Sequence, residues 1–137
     1  MKRIFIDTNI VIDLLSRREP FYKEASDLFS LADKKKFRLS ISALTVANTH
    51  YLLSRQMDSV KAKTILRNLK LIVHVVSLDD KIVDLALNDT SFTDFEDSIQ
   101  YLTALESGQD IIITRNLSDF KKSKLPVLTA KQFLETL

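Results

Sequence analysis

Short apolar runs alternate along this chain with longer segments in which apolar residues recur every three or four positions. The runs at 3–6 ("RIFI"), 38–42 ("RLSIS"), 71–76 ("LIVHVV"), 110–114 ("DIIIT") and 126–129 ("PVLT") predict five strands. The periodic segments predict helices over 9–16, 21–33 after Pro20, 43–55, 58–69, 79–88, 94–107 and 130–137. In the fourth of these, Val60, Ile65, Leu66 and Leu69 form the apolar stripe. Gly108 suits the C-terminal cap of the helix before it. Several strands are apolar throughout, as strands buried on both faces are, so the fold class is α/β, a sandwich with a largely parallel sheet. No repeat, low-complexity tract or Pro/Gly/Ser linker divides the chain, and 1–137 reads as a single domain.

Composition narrows the chemistry. At 45% hydrophobic and 28% charged over 137 residues, the chain can bury a real core, and no apolar run is long enough to span a bilayer. The first apolar run is broken by Asp7 after three residues, too soon for a signal peptide, so the expected location is the cytoplasm and no membrane partner is expected. Zero cysteines exclude disulfides, thiol nucleophiles and cysteine zinc sites. A single glycine excludes the glycine-rich loops that cradle phosphates. His50 and His74 have no zinc-ligand spacing. With a net charge of +2, binding to nucleic acid would have to come from local patches.

In open α/β sheets, sites form beyond the carboxyl ends of the strands. Asp7 stands there after the first strand, and Thr45 and Asn48 follow the turn at Ser42 after the second. Asp94 and Asp97 open the helix "IQYLTAL", and Thr114, Asn116 and Asp119 follow the strand "DIIIT". Carboxylates drawn together repel unless a cation neutralises them, and hard cations such as Mg²⁺ and Mn²⁺ prefer oxygen ligands. Such ions activate water and stabilise the charge that develops as a phosphodiester breaks, so the expected chemistry is metal-assisted hydrolysis. Each residue also has a purely structural reading. Asp7 and Thr8 are good N-caps, and Thr93 with Glu96 fits a capping box. Asp97 favours a helix N-terminus by ~0.3–1 kcal/mol, and Asp119 suits a turn. Their coincidence at four strand ends is what favours a shared site.

The stretches "FIDTNIVIDLL", "ISALTVAN", "DFEDSIQYLTAL" and "IIITRNLSDF" resemble, in order and spacing, the PIN-domain family, which includes the VapC-type toxin ribonucleases. The likeness extends over essentially the whole chain. It implies a three-layer α/β/α sandwich with a mainly parallel five-stranded sheet, and Mg²⁺- or Mn²⁺-dependent cleavage of single-stranded RNA. It further implies a homodimer and an antitoxin protein that blocks the site. By that resemblance, Asp7 matches the family's first acid and Asn9 its accompanying amide. Asp97 matches the acid at the head of the later helix, with Asp94 a neighbour. Asn116 and Asp119 both stand where the last acidic ligand is found, and Thr114 resembles the hydroxyl residue opening that loop. The family glutamate after the second strand is here Asn48, which keeps an acceptor oxygen but loses the charge and cannot act as a general base. Three consequences follow as alternatives. Asn48 positions a water, Glu96 or Asp94 supplies the charge from the facing helix, or the chain is a weakened RNA-binding or regulatory relative.

Phosphate contacts need Lys and Arg. Arg115 and Lys121 adjoin the expected site and are the candidate RNA contacts. Arg17, Arg18, Lys122 and Lys124 are further cations, while the run Lys34 to Arg38 falls at the opposite end of the sheet and reads as solvated surface. Tyr51 and Tyr101 read as core packing and His50 as structural. Phe21, Leu28, Phe29 and Leu31, with Ile65, Leu66 and Leu69, are expected to be mostly core, with part of that surface open to a partner helix or second subunit.

Overall fold

The computed structural model describes all 137 residues. Five strands, β1 (Arg3–Ile6), β2 (Arg38–Ser42), β3 (Val73–Val76), β4 (Ile111–Ile113) and β5 (Val127–Leu128), form one all-parallel sheet in the order β3-β2-β1-β4-β5. The chain runs outward from β1 to β2 and β3, then returns to the other side of β1 for β4. The switch point is therefore at β1, where α/β sheets open a crevice at their carboxyl ends.

Seven helices cover the sheet: α1 (Thr8–Leu15), α2 (Tyr22–Asp33), α3 (Ala43–Gln56), α4 (Ser59–Leu69), α5 (Asp80–Asn88), α6 (Phe95–Glu106) and α7 (Ala130–Glu135). Ile4, Phe5 and Ile6 of β1 and Ile111, Ile112 and Ile113 of β4 are apolar and buried on both faces because helices cover both. Ile4, Ile6, Leu39, Ile41 and Ile113 pack on one side against Ile10, Leu28, Phe29, Leu66 and Phe133 of α1, α2, α4 and α7. Phe5 and Ile112 pack on the other against Tyr101 and Ala104 of α6, with Phe92 and Phe120 completing a small aromatic cluster. This is the expected α/β/α sandwich.

Helix ends follow local chemistry. Asp7, Ser42, Asp58, Asp79, Asp94 and Thr129 each cap a helix with a side-chain oxygen. Gly108 takes φ +73° just past α6, where a side chain would be strained. Three expectations fail. The cap of α6 is Asp94, whose carboxylate accepts from Asp97 N, so the capping box over Thr93 and Glu96 does not form. Val60 is 75% exposed, because the buried stripe of α4 is Ala62, Leu66 and Leu69. Tyr51 is 64% exposed rather than packed in the core, whereas Tyr101 is buried. A short 3₁₀ turn over Leu117–Phe120, not foreseen from the sequence, carries Asp119.

Candidate active site

The loops at the carboxyl ends of β1, β2 and β4 and the head of α6 enclose a cleft of about 260 Å³. Asp7, Asn9, Asn48, Glu96, Asp97 and Asn116 all line it, so residues spread over 110 positions meet at the switch point. Arg18 is its one basic wall residue.

Asp7 ends β1 and caps α1, its Oδ1 accepting from Thr8 N at 2.8 Å. Capping and a place in the cleft are thus not alternatives. The same oxygen accepts from Gln100 Nε2 at 3.3 Å, while Oδ2 accepts from Thr114 Oγ1 at 2.8 Å and Asn9 Nδ2 at 3.3 Å. Burial nevertheless pushes its pKa above the ordinary value, and the charge of Asp119 adds to the rise. Four neutral donors offset the loss of water only in part.

Asp97 projects from the first turn of α6, and its pKa is pushed up to about 6. Burial is the main cause, followed by the charges of Asp94, Asp7, Asp119 and Glu96. The cleft therefore concentrates negative charge, and its one basic wall residue, Arg18, forms no ion pair with either acid. Its donor set of carboxylates and amide oxygens fits a hard cation. The carboxylates do not close on one point as a preformed cage. An ion here would be held by one or two carboxylates and keep several waters, as Mg²⁺ commonly does.

The other candidates divide by position. Thr114 is fully buried and supports Asp7, while Asn116 N donates to Thr114 Oγ1 at 3.1 Å. Of the two residues left open, Asn116 lines the cleft, whereas Asp119 stands exposed in the 3₁₀ turn and acts on Asp7 and Asp97 through its charge. Asp94 spends one carboxylate oxygen on the helix cap. Lys121 is exposed at the end of the 3₁₀ turn. Arg115 differs from the expectation of a free cation at the cleft: its guanidinium turns to Asp13 at 2.7 and 3.2 Å and stacks over Phe21 at 4.1 Å. His50 meets Ser59 Oγ at 3.3 Å.

Sequence reasoning missed Gln100. This amide is 3% exposed and donates to Asp7, Thr8 Oγ1 (3.1 Å) and Thr45 Oγ1 (2.8 Å), while its Oε1 accepts from Ser42 Oγ. It ties together the ends of β1 and β2, the start of α3 and the buried face of α6. The available signal was a long polar residue between Ile99 and Tyr101, one turn after Asp97 and so on its face of the helix.

Comparison with known proteins agrees with this architecture. The chain is 26% identical over 138 aligned residues to Ribonuclease VapC1 of Aquifex aeolicus (strain VF5), covering 98% of this chain and 94% of that one. Its structure resembles VapBC-1 from nontypeable Haemophilus influenzae, with TM-score 0.71, 18% identity and coverage of 94% of this chain and 98% of that chain. It also resembles Mycobacterium tuberculosis VapC20, a toxin that cleaves the Sarcin-Ricin loop, with TM-score 0.61, 20% identity and coverage of 80% and 86%. The PIN domain family model matches residues 3–118, which include every residue of the cleft, and the chain belongs to the PIN domain family.

Proposed function

We propose that this protein is a Mg²⁺- or Mn²⁺-dependent endoribonuclease that hydrolyses phosphodiester bonds of single-stranded RNA, and that it is the toxin of a toxin–antitoxin module in the cytoplasm. The observation that carries the reading is the pair Asp7 and Asp97, set in one cleft among like charges and with no ion pair to either. The Aquifex relative is named a ribonuclease, and the mycobacterial neighbour is described as a toxin that cleaves the Sarcin-Ricin loop. Both support RNA as the substrate.

Asp7 and Asp97 would hold the ion, with Asn116 or Asp119 as a further oxygen donor. When bound, it would supply positive charge against the developing phosphate charge and make water more acidic. Residues of the chain do the rest. Thr114, Asn9 and Gln100 fix both oxygens of Asp7, so its orientation is set before substrate arrives. Asn48 lines the cleft as a neutral acceptor. Glu96 on the facing helix shares that wall and supplies the carboxylate that Asn48 lacks, whereas Asp94 is engaged as a cap. Arg18 and Lys121 stand free to meet phosphates; Arg115 acts through Asn9, whose Oδ1 accepts from Arg115 N at 3.3 Å.

A second reading has two observations in its favour. With Asn48 neutral and the carboxylates not closed on a single point, the chain would be a weakened RNA-binding or regulatory relative. Incubation of single-stranded RNA with purified protein and Mn²⁺, Mg²⁺ or EDTA separates the two. A nuclease cleaves only with metal and loses about a hundredfold or more in Asp7→Asn and Asp97→Asn. Equal trace cleavage in wild type, variants and EDTA would sink the nuclease reading.

An antitoxin that covers the cleft belongs to the same proposal. The Haemophilus neighbour is described as a VapBC structure. A homodimer is also proposed, since Leu85 and Leu87 on α5 and Phe95 at the head of α6 are exposed apolar residues. Light scattering of the purified chain should read twice the monomer mass.

A further inference from the structure

We propose a binding track for single-stranded RNA that leaves the cleft over Tyr51 and enters a cationic groove between α3 and α4. It rests on the nuclease reading for its substrate class but not for its geometry. The groove, about 390 Å³, is walled by Lys63 and Arg67 from α4, by Lys70 that caps its end, and by Val46, Ala47 and His50 from α3. It holds no carboxylate, and none of its three cations forms an ion pair. The segment 59–70 carries four cations and no acid in a chain whose net charge is only +2. Positive charge is therefore concentrated here, in a lining that fits a polyanion. Lys63, Arg67 and Lys70 recur at helical spacing and form a row suited to successive phosphates.

Helix α3 joins this groove to the cleft. Asn48 faces the cleft, while Ala47 and His50 face the groove. Tyr51 lies three residues after Asn48 and four after Ala47, which places it on the ridge between them. Tyr51 is 64% exposed, with the Arg55 guanidinium 5.6 Å from its ring centroid and Arg55 Nη1 donating to its hydroxyl at 3.3 Å. An exposed aromatic ring braced by an arginine beside a cationic groove is a platform for an unpaired base. One helix width, about 10 Å, separates cleft from groove, so a few nucleotides span both.

The test is fluorescence anisotropy of a labelled single-stranded oligoribonucleotide in EDTA, which suppresses cleavage, across a salt series. The triple variant Lys63→Gln/Arg67→Gln/Lys70→Gln should bind about tenfold more weakly, with the salt slope shallower by roughly 2. Tyr51→Ala should lose at least about fivefold. The control Lys34→Gln/Lys36→Gln/Arg38→Gln removes equal charge at the far end of the sheet and should change affinity by less than about twofold. All these side chains are exposed, so thermal unfolding should confirm that each variant folds. Unchanged affinity in the groove triple overturns the proposal and leaves the cationic row to an acidic protein partner. Equal losses in both triples overturn it as net charge alone, and absence of binding by wild type at low salt overturns it outright. Groove-dependent binding without metal-dependent cleavage would uphold the track while removing the nuclease reading.

Discussion

Helix α1 has a buried aspartate at each end, and the two are held in opposite ways. Asp13, 1% exposed, lies in the fork of Arg115, whose guanidinium stacks on Phe21. Asp7, 8% exposed, has four donors, all neutral, and the one charge that acts on it, Asp119, shares its sign. A carboxylate removed from water is stable only with a partner. The chain supplies one to Asp13 and withholds one from Asp7. The first end is structural, and the second is where the proposed function places the cation.

Breaking the Asp13 end should have the largest effect on stability. Arg115→Ala strands a buried charge and should cost about 2–4 kcal/mol, somewhat under the value for a fully buried pair because Arg115 keeps part of its surface in water. Urea unfolding measures it, and a loss below about 1 kcal/mol would mean that Asp13 is rehydrated at little cost. Adding charge at the Asp7 end comes next. Asn48→Glu should raise Mn²⁺ affinity roughly tenfold, since ligand charge tunes divalent binding. Calorimetric titration that shows no change would place Asn48 outside the ion's reach.

Removing charge at that end should give the smallest shift. The carboxyl of Asp97 titrates near 6 in the fold against an ordinary 3.8. Its contribution is therefore fully present below about 4 and lost as pH rises through about 6, so this group makes the fold less stable at neutral pH than under mild acid. Asp97→Asn should raise stability at pH 7 by about 1 kcal/mol, the full shift being discounted for partial solvent exposure, and the gain should vanish near pH 4. Thermal melts at both pH values, with and without Mn²⁺, would show it. A gain independent of pH would point to the helix cap instead.

Much of this molecule was legible before the fold was known. The apolar strands and the periodic helices fell within about two residues of their places, because burial on both faces and a 3.6-residue period are local properties of the chain. Asp7, Asp97 and Asn116 were legible for a related reason: a strand end followed by a helix start is a local pattern, and parallel topology brings such ends together. Gln100 was not, since its partners lie 55 to 93 positions away and a glutamine inside a helix looks like any polar interruption. The same limit applied to Arg115 and Tyr51. Arg115 is taken by Asp13 across 102 positions, and Tyr51 lies on a face of α3 that no element covers.

By itself the sequence determined the elements, the parallel α/β class and the set of oxygen donors, since each depends on neighbours along the chain. Only the tertiary structure decided which carboxylate is paired and which is left without a counter-charge. Asp7 and Asp13 are six residues apart on one helix, and what separates them is whether a guanidinium from beyond β4 reaches one of them.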